Sequence, residues 1–388
     1  MTLMETEFIR FMSRFDETPY TIILNKEEYP IGQGTPKFSV EFHKIPSTKE
    51  LMTSTSLALG EAYMKGDIEI HGDLYETLNL FLGQLGKFST DYKKLHKLIF
   101  TSKSQRNQKK EVSSHYDIGN DFYKLWLDET LSYSCGYFEK DNTTLYEAQC
   151  NKVDRILKKL HLQQGMSLCD IGCGWGFLLI EAAKKYHVRG TGITLSKEQK
   201  KEFEKRIHEE HLENQLEVRL MDYRNLPDSG LQFDAAVSVG MVEHVGRGNY
   251  EIFLNCVKSI LKPGGVFLLH YISALKEYPG DAWIKKYIFP GGVIPSLREM
   301  LNIAADLRFY TLDVESLRRH YNKTLLCWNQ NFQKARTTVV DKFGEEFARM
   351  WELYLCACAA TFQNGIIDLH QILFTNDVNN ELPIVRWY

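Results

Sequence analysis

The sequence predicts an α/β protein of two domains: a smaller α+β domain over residues 1–100, a basic linker at 101–114, and a doubly wound sheet domain over 115–388. Three observations carry this. At 388 residues the chain exceeds the roughly 250–300 at which a single hydrophobic core stops growing. Beyond His115, short apolar runs alternate with amphipathic stretches, the pattern of a parallel sheet with helices on both faces. One predicted strand runs into a helix through Asp170-Ile171-Gly172-Cys173-Gly174-Trp175-Gly176, where glycines let the backbone approach a bound nucleotide.

In the first domain, PYTIILN and KFSVEFH read as strands, and TKELMTSTSLALGEAYMKGD and LYETLNLFLGQLGKF as helices. Lys93, Lys94, Lys97, Lys103, Arg106, Lys109 and Lys110 follow Asp91 without an acidic residue among them, which marks the basic linker. The second domain offers SLCDIG, VRGTGIT, LEVRLMD, FDAAVSVG and GVFLLHYI as its first five strands, with LKPGG as the turn before the fifth. DLRFYTLDV and LHQILFT supply a sixth and a seventh, separated by a long helical stretch.

Hydrophobic residues at 44% and charged residues at 25% are ordinary for a folded chain. A net charge of −3 provides no global positive field, so nucleic acid is not an expected partner. Neither Cys169/Cys173 nor Cys356/Cys358 has the C-x-x-C spacing of a tetrahedral zinc site, and no metal site is expected. The start MTLMETEFIR has no basic leader or apolar signal core, and runs such as GVFLLHYISAL fall short of the ~20 residues that span a bilayer. The expectation is a cytoplasmic protein whose membrane contact, if it has one, is peripheral.

The G-x-G-x-G spacing with a preceding acid differs from the G-x-G-x-x-G of dinucleotide sites and resembles an S-adenosylmethionine loop, in which Asp170 suits the cationic amino-acid end. At the next strand end, where an acid would take the ribose, the chain has GITLSKEQ. Thr194 and Gln199 are the candidates there, a hydroxyl and a carboxamide standing in for a carboxylate, although for Gln199 an exposed helix position is an equal reading. Asp222 and Tyr223, at the end of the third strand, sit where an adenine would lie.

The blocks HYDIGNDFYKLWLDETLSYSCGYF, LCDIGCGWG, GITLSKEQ, VSVGMVEHVG, LKPGGVFLLHYI and WIKKYIFPGGVIPS resemble, in that order from His115 onward, the cyclopropane-fatty-acid synthases and mycolic-acid methyltransferases. The resemblance implies a class I S-adenosylmethionine-dependent methyltransferase, Rossmann-like with a seven-stranded sheet, preceded by the N-terminal domain of the bacterial synthases. It implies methylene addition from S-adenosylmethionine across a cis double bond of an unsaturated phospholipid, through methyl transfer, a carbocation and deprotonation by bound bicarbonate. By the same resemblance Cys135, Glu243, His270 and Tyr321 are catalytic and hold the bicarbonate, with Ile272 contributing main chain. Tyr133, Ser134 and Leu195 join Asp170, Gly172, Gly174, Gly176, Thr194, Gln199, Asp222 and Tyr223 around the cofactor, and Tyr137 and Cys358 line a substrate cavity. A homodimer at the inner face of the membrane is the expected working form. Two departures stand out: Val242 replaces an aromatic residue in GMFEHVG, and the block around Tyr321 has few anchors.

These residue types suit that chemistry. An alkene is a weak nucleophile, so the reacting atoms must be held in line with water excluded and a base fixed nearby. His and Tyr donors with a Glu can bind a small oxyanion; a structural Glu–His hydrogen bond is the plain alternative for Glu243 and His270. Cys135 as a nucleophile has no histidine in its own block. An amine or headgroup N-methyltransferase, a hydroxylating mycolic-type enzyme and a non-catalytic lipid-binding protein remain as alternative functions. The linker cations are candidates for docking on anionic lipid, or simply a solvated connection.

Overall fold

The computed structural model describes residues 1–99 and 119–388; the basic linker at 101–114, with His115 and Tyr116, lies outside them. Contacts divide the chain into two compact units.

The first unit comprises Met1–Phe100, Pro279–Pro290 and Leu325–Ile366. Its sheet contains β1 (Tyr20–Leu24), β2 (Glu27–Ile31), β3 (Ser39–Phe42) and β4 (Ile68–His71) in the order β2-β1-β3-β4. Only the β1–β3 pair is parallel. Val40 and Phe42 alternate inward from β3 and join Phe8, Phe15, Tyr20 and Ile22 in one core. The edge strand β2 has no apolar alternation to announce it, and its Pro30 is tolerated because an edge needs fewer ladder donors. The single helical stretch expected over residues 48–67 breaks at Ser54. That residue is extended (φ −158°, ψ 107°) and its hydroxyl accepts from Leu57 N, capping Thr55–Met64 separately from Thr48–Thr53.

The unit boundaries depart from the linear division the sequence suggests, because the helix Glu345–Gln363 belongs to the first unit rather than to the sheet domain. Amphipathic periodicity shows that a helix buries a face but not which body receives it. Arg349 makes the attachment specific. Its Nε donates to Tyr63 O (2.6 Å), Nη2 to Ile68 O (2.7 Å) and Nη1 to Glu69 Oε1 (3.1 Å), with the guanidinium 4.1 Å from the Tyr63 ring centroid. Arg349→Ala strands two carbonyls and is expected to destabilise this unit by about 2–4 kcal/mol, read as a fall of several degrees in its calorimetric transition. An unchanged transition would show that the guanidinium contributes no net stability.

The second unit comprises Thr101–Tyr278, Gly291–Thr324 and Ile367–Tyr388. Its seven strands are β5 (Ser167–Ile171), β6 (Arg189–Thr194), β7 (Leu216–Leu220), β8 (Phe233–Val239), β9 (Leu261–Ala274), β10 (Phe309–Ser316) and β11 (Ile367–Asn376), in the order β10-β11-β9-β8-β5-β6-β7. β11 runs antiparallel to both neighbours, and the pairs from β9 to β7 are parallel. Both faces are covered: along β9, Val266 and Leu268 enter one core while Phe267 and Leu269 enter the other. The expected LKPGG turn is absorbed into β9, whose pairing with β8 shifts register between Phe233 and Ala235, with Gly264 at φ +75°. The chain leaves β5 toward β6 and β7, then returns to β8 on the other side. The crevice between the C-terminal ends of β5 and β8 is therefore where such a sheet binds ligands.

Candidate active site

The glycine loop occupies that crevice. Gly172 N and Cys173 N both donate to Ile193 O (2.9 and 3.1 Å), fastening the loop to β6. Gly172, Gly174 and Gly176 have φ of +88°, +53° and +86°, a region that side chains disfavour. Each has a different surrounding. A Cβ on Gly176 would lie 2.0 Å from Phe203 and one on Gly172 2.9 Å from Met241, whereas one on Gly174 would meet nothing within 4 Å. Two of the glycines thus serve close packing and the third keeps the cleft open.

The cleft measures about 160 Å³ and is lined by all eleven residues the sequence assigns to the cofactor, from Tyr133 and Ser134 through the loop to Thr194, Leu195, Gln199, Asp222 and Tyr223. Gln199 is buried, not an exposed helix residue: its Oε1 accepts from Thr194 Oγ1 at 2.8 Å, and Thr194 Oγ1 accepts from Ser196 N at 3.1 Å. Asp222 caps the following turn by accepting from Arg224 N at 3.0 Å, with Arg224 Nη1 3.4 Å from its other oxygen. Trp175 is locked by donating Nε1 to Asn120 Oδ1 (2.9 Å), and Tyr123 packs against both Trp175 and Tyr133.

Asp170 is 3% exposed, and its Oδ1 has no hydrogen-bond partner among the described residues. Burial pushes its carboxyl up to about 7, opposed by the Lys152 charge. A buried, unsatisfied carboxylate oxygen facing a cleft fits a cationic ligand group such as the ammonium of S-adenosylmethionine.

Of the residues expected to hold an anion, Glu243 follows β8 and His270 pairs in register with Val239 at the end of β8. Glu243 stands in a short turn just after β8, with its Oε1 accepting from Ile272 N at 2.7 Å and its Oε2 buried without a described partner. Burial pushes this carboxyl up to about 7. His270 is 1% exposed; its Nδ1 lies 3.2 Å from Gln371 Nε2, its Nε2 has no described partner, and burial holds the ring well below its ordinary pKa. A neutral imidazole whose Nδ1 accepts from Gln371 carries its proton on Nε2 as a donor. Cys135 is fully buried, its Sγ 3.2 Å from Gly136 O and 3.9 Å from Leu317 O, at the start of the helix carrying the buried Tyr321. Burial pushes its thiol far up, so it is no thiolate nucleophile. The unsatisfied Glu243 and His270 atoms fit a small ligand that both accepts and donates hydrogen bonds, as bicarbonate does.

The two substrate-cavity residues do not line this cleft. The Tyr137 ring is stacked on His320 at 4.6 Å, with the Arg155 guanidinium over it at 4.7 Å, so its aromatic faces are used in packing. Cys358 lies on the helix Glu345–Gln363 of the first unit. Sequence reasoning missed Lys152 and Gln371. Lys152 falls on the apolar stripe Ala148–Lys152–Ile156 at i, i+4 spacing, a position where a cation is out of place. Gln371 pairs in register with His270 across β11 and β9, which only the sheet reveals.

A family model described as mycolic acid cyclopropane synthetase matches residues 103–372, and a domain of unknown function matches 9–93. The chain is 38% identical over 344 residues to the cyclopropane-fatty-acyl-phospholipid synthase of Escherichia coli strain K12, covering 87% of this chain and 88% of that one. It is 36% identical over 389 residues to a probable fatty acid methyltransferase of Pseudomonas putida, covering 95% and 91%. Among solved structures, a cyclopropane synthase from Mycobacterium tuberculosis superposes with a TM-score of 0.66 at 34% identity, over 69% of this chain and 98% of that one. A mycolic acid cyclopropane synthase complexed with SAH and CTAB gives 0.65 at 35% identity, over 69% and 98%.

Proposed function

Because this chain belongs to the mycolic acid cyclopropane synthetase family, we propose that it converts cis double bonds in unsaturated phospholipid acyl chains to cyclopropane rings, with bicarbonate as the base. It is an S-adenosylmethionine-dependent methyltransferase with the class I fold. The observation that carries the finer reading is that Glu243 and His270, both near the end of β8, each bury a polar atom without a described partner. When bound, S-adenosylmethionine supplies an electrophilic methyl group and bicarbonate a proton acceptor.

The chain's own residues then bind and orient. Asp170 takes the ammonium end, and Thr194 and Gln199 face the ribose. Asp222 and Tyr223 bound the adenine, and Tyr133, Ser134 and Leu195 complete the wall. Glu243 orients the anion and Ile272 N fixes Glu243, while His270 Nε2 donates to the anion and Cys135 and Tyr321 complete its surroundings. Burial of these groups keeps water from the reacting carbon.

The relatives' names divide between cyclopropane synthases and fatty acid methyltransferases, and one experiment separates these products. Vesicles of unsaturated phospholipid incubated with the protein and S-adenosylmethionine are expected to gain the mass of one methylene group per chain while losing alkene proton resonances and gaining ring resonances. A methyl branch without a ring, or a methylated headgroup with the alkene retained, would overturn the proposal.

Access to an acyl chain requires docking on the membrane surface, since among the described residues no helix is long and apolar enough to cross a bilayer. The basic stretch is the proposed contact. Vesicle binding is expected to rise with anionic lipid, fall with salt, and drop when Lys103, Arg106, Lys109 and Lys110 are neutralised, because each cation near an anionic leaflet contributes on the order of 1 kcal/mol. Unchanged binding in the quadruple variant would move the contact elsewhere.

A further inference from the structure

Lys152 lines the cofactor cleft from the helix Leu145–Lys159 and is 3% exposed. Its Nζ donates to Ser134 Oγ at 3.1 Å, and no carboxylate among the described residues pairs with it. An ammonium has three donors, and one without a counter-ion in a buried place is costly. Ser134 is itself held in position by Gln149, which donates to its carbonyl at 2.8 Å. The cleft therefore presents a carboxylate with a free oxygen, Asp170, together with an ammonium with donors to spare.

The amino-acid end of S-adenosylmethionine carries the complementary pair, an α-ammonium and an α-carboxylate. We infer that Lys152, together with the Ser134 hydroxyl, binds the α-carboxylate of the methyl donor while Asp170 binds its α-ammonium. The inference rests on the assignment of this cleft to S-adenosylmethionine. The proposed bicarbonate site is a less suitable destination for this charge, because Cys135, Glu243 and His270 are not among the cleft-lining residues whereas Ser134 and Asp170 are. Lys152 is a binding residue here and takes no part in the proton transfer.

The assignment also gives a pH dependence. Burial lowers the Lys152 ammonium to about 8, against the raising influence of Asp128, Cys135, Asp170 and Cys150; His270 also feels its charge. Above that range the ammonium becomes neutral and its hold on a carboxylate is lost.

Isothermal titration calorimetry with S-adenosylhomocysteine and with its decarboxylated analogue, which keeps the amine and the nucleoside, tests this directly. Lys152→Met is expected to weaken S-adenosylhomocysteine about tenfold to a hundredfold and the analogue less than about threefold, with Lys152→Arg intermediate. In the wild-type protein, the preference for S-adenosylhomocysteine over the analogue is expected to shrink between about pH 7 and about pH 9.5, an arm that needs no variant to fold. An equal loss for both compounds, no loss for either, or a preference that stays flat with pH would overturn the role of Lys152. Failure of the wild-type protein to bind either compound would overturn the cleft assignment beneath it.

Discussion

Glu243→Gln is expected to lower turnover by about two to three orders of magnitude while leaving cofactor affinity within about twofold. The amide keeps the shape and can still accept from Ile272 N, so local structure is retained. At the buried Oε2 position, however, an NH₂ donor replaces an acceptor, and the group can neither hold a proton nor carry charge. The carboxyl is pushed up to about 7 by burial, so its ionised form grows in as pH rises through neutrality. If that form orients the anion, the wild-type rate has a rising limb near pH 7 that the variant lacks. His270, held neutral by burial, contributes no titration of its own in this range. Single-turnover rates across pH, with calorimetric cofactor binding alongside, check both halves; normal turnover in the variant would remove Glu243 from the mechanism.

The second large effect is expected from Asp170→Asn, a loss of cofactor affinity of about a hundredfold, because a charge-assisted hydrogen bond to an ammonium becomes a neutral one. The same variant is expected to be more stable without ligand. The carboxyl is raised in the folded protein to about 7 from an ordinary 3.8. The folded state thus binds this proton more tightly than the unfolded state, and stability falls as pH rises through that window. Asn has no such proton, so its unliganded melting temperature should exceed that of the wild type above about pH 7. Gly174→Asp reaches the same functional loss by another route. The backbone at φ +53° is one that Asp tolerates, and the new side chain has no neighbour within 4 Å of its Cβ, so the protein folds with its cleft obstructed. A variant of Asp170 that binds the cofactor normally would overturn the charge-pairing argument, whatever its melting temperature.

Much of the second unit was legible before any coordinates. Its strands come from short apolar runs set between helical stretches, although the exposed β10 carries little apolar signal of its own, and the glycine loop comes from a spacing with a local steric cause. Gly172, Gly174 and Gly176 all take positive φ because the chain must turn from strand to helix within a few residues. The short Glu27–Ile31 edge strand and the break at Ser54 were not legible, since an exposed edge lacks alternation and a capping serine resembles any other polar residue within a helical stretch.

By itself the sequence determined the sheet's strands, the glycine loop and eleven of the residues that line the cleft, because these rest on local periodicity, local backbone geometry or, for Tyr133, Ser134 and Leu195, on resemblance to a family read block by block. Tertiary structure alone decided three other matters. It attached the helix Glu345–Gln363 to the first unit, through a buried Arg349 whose partners lie some 280 residues away in sequence. It set Gln371 beside His270 through the register of two antiparallel strands. It left Lys152 buried beside an unsatisfied Asp170, giving each charge a reason to find its counter-ion in a ligand. The physical reason is common to all three: burial and pairing depend on which distant segment arrives, and a chain's periodicity records only that some segment must.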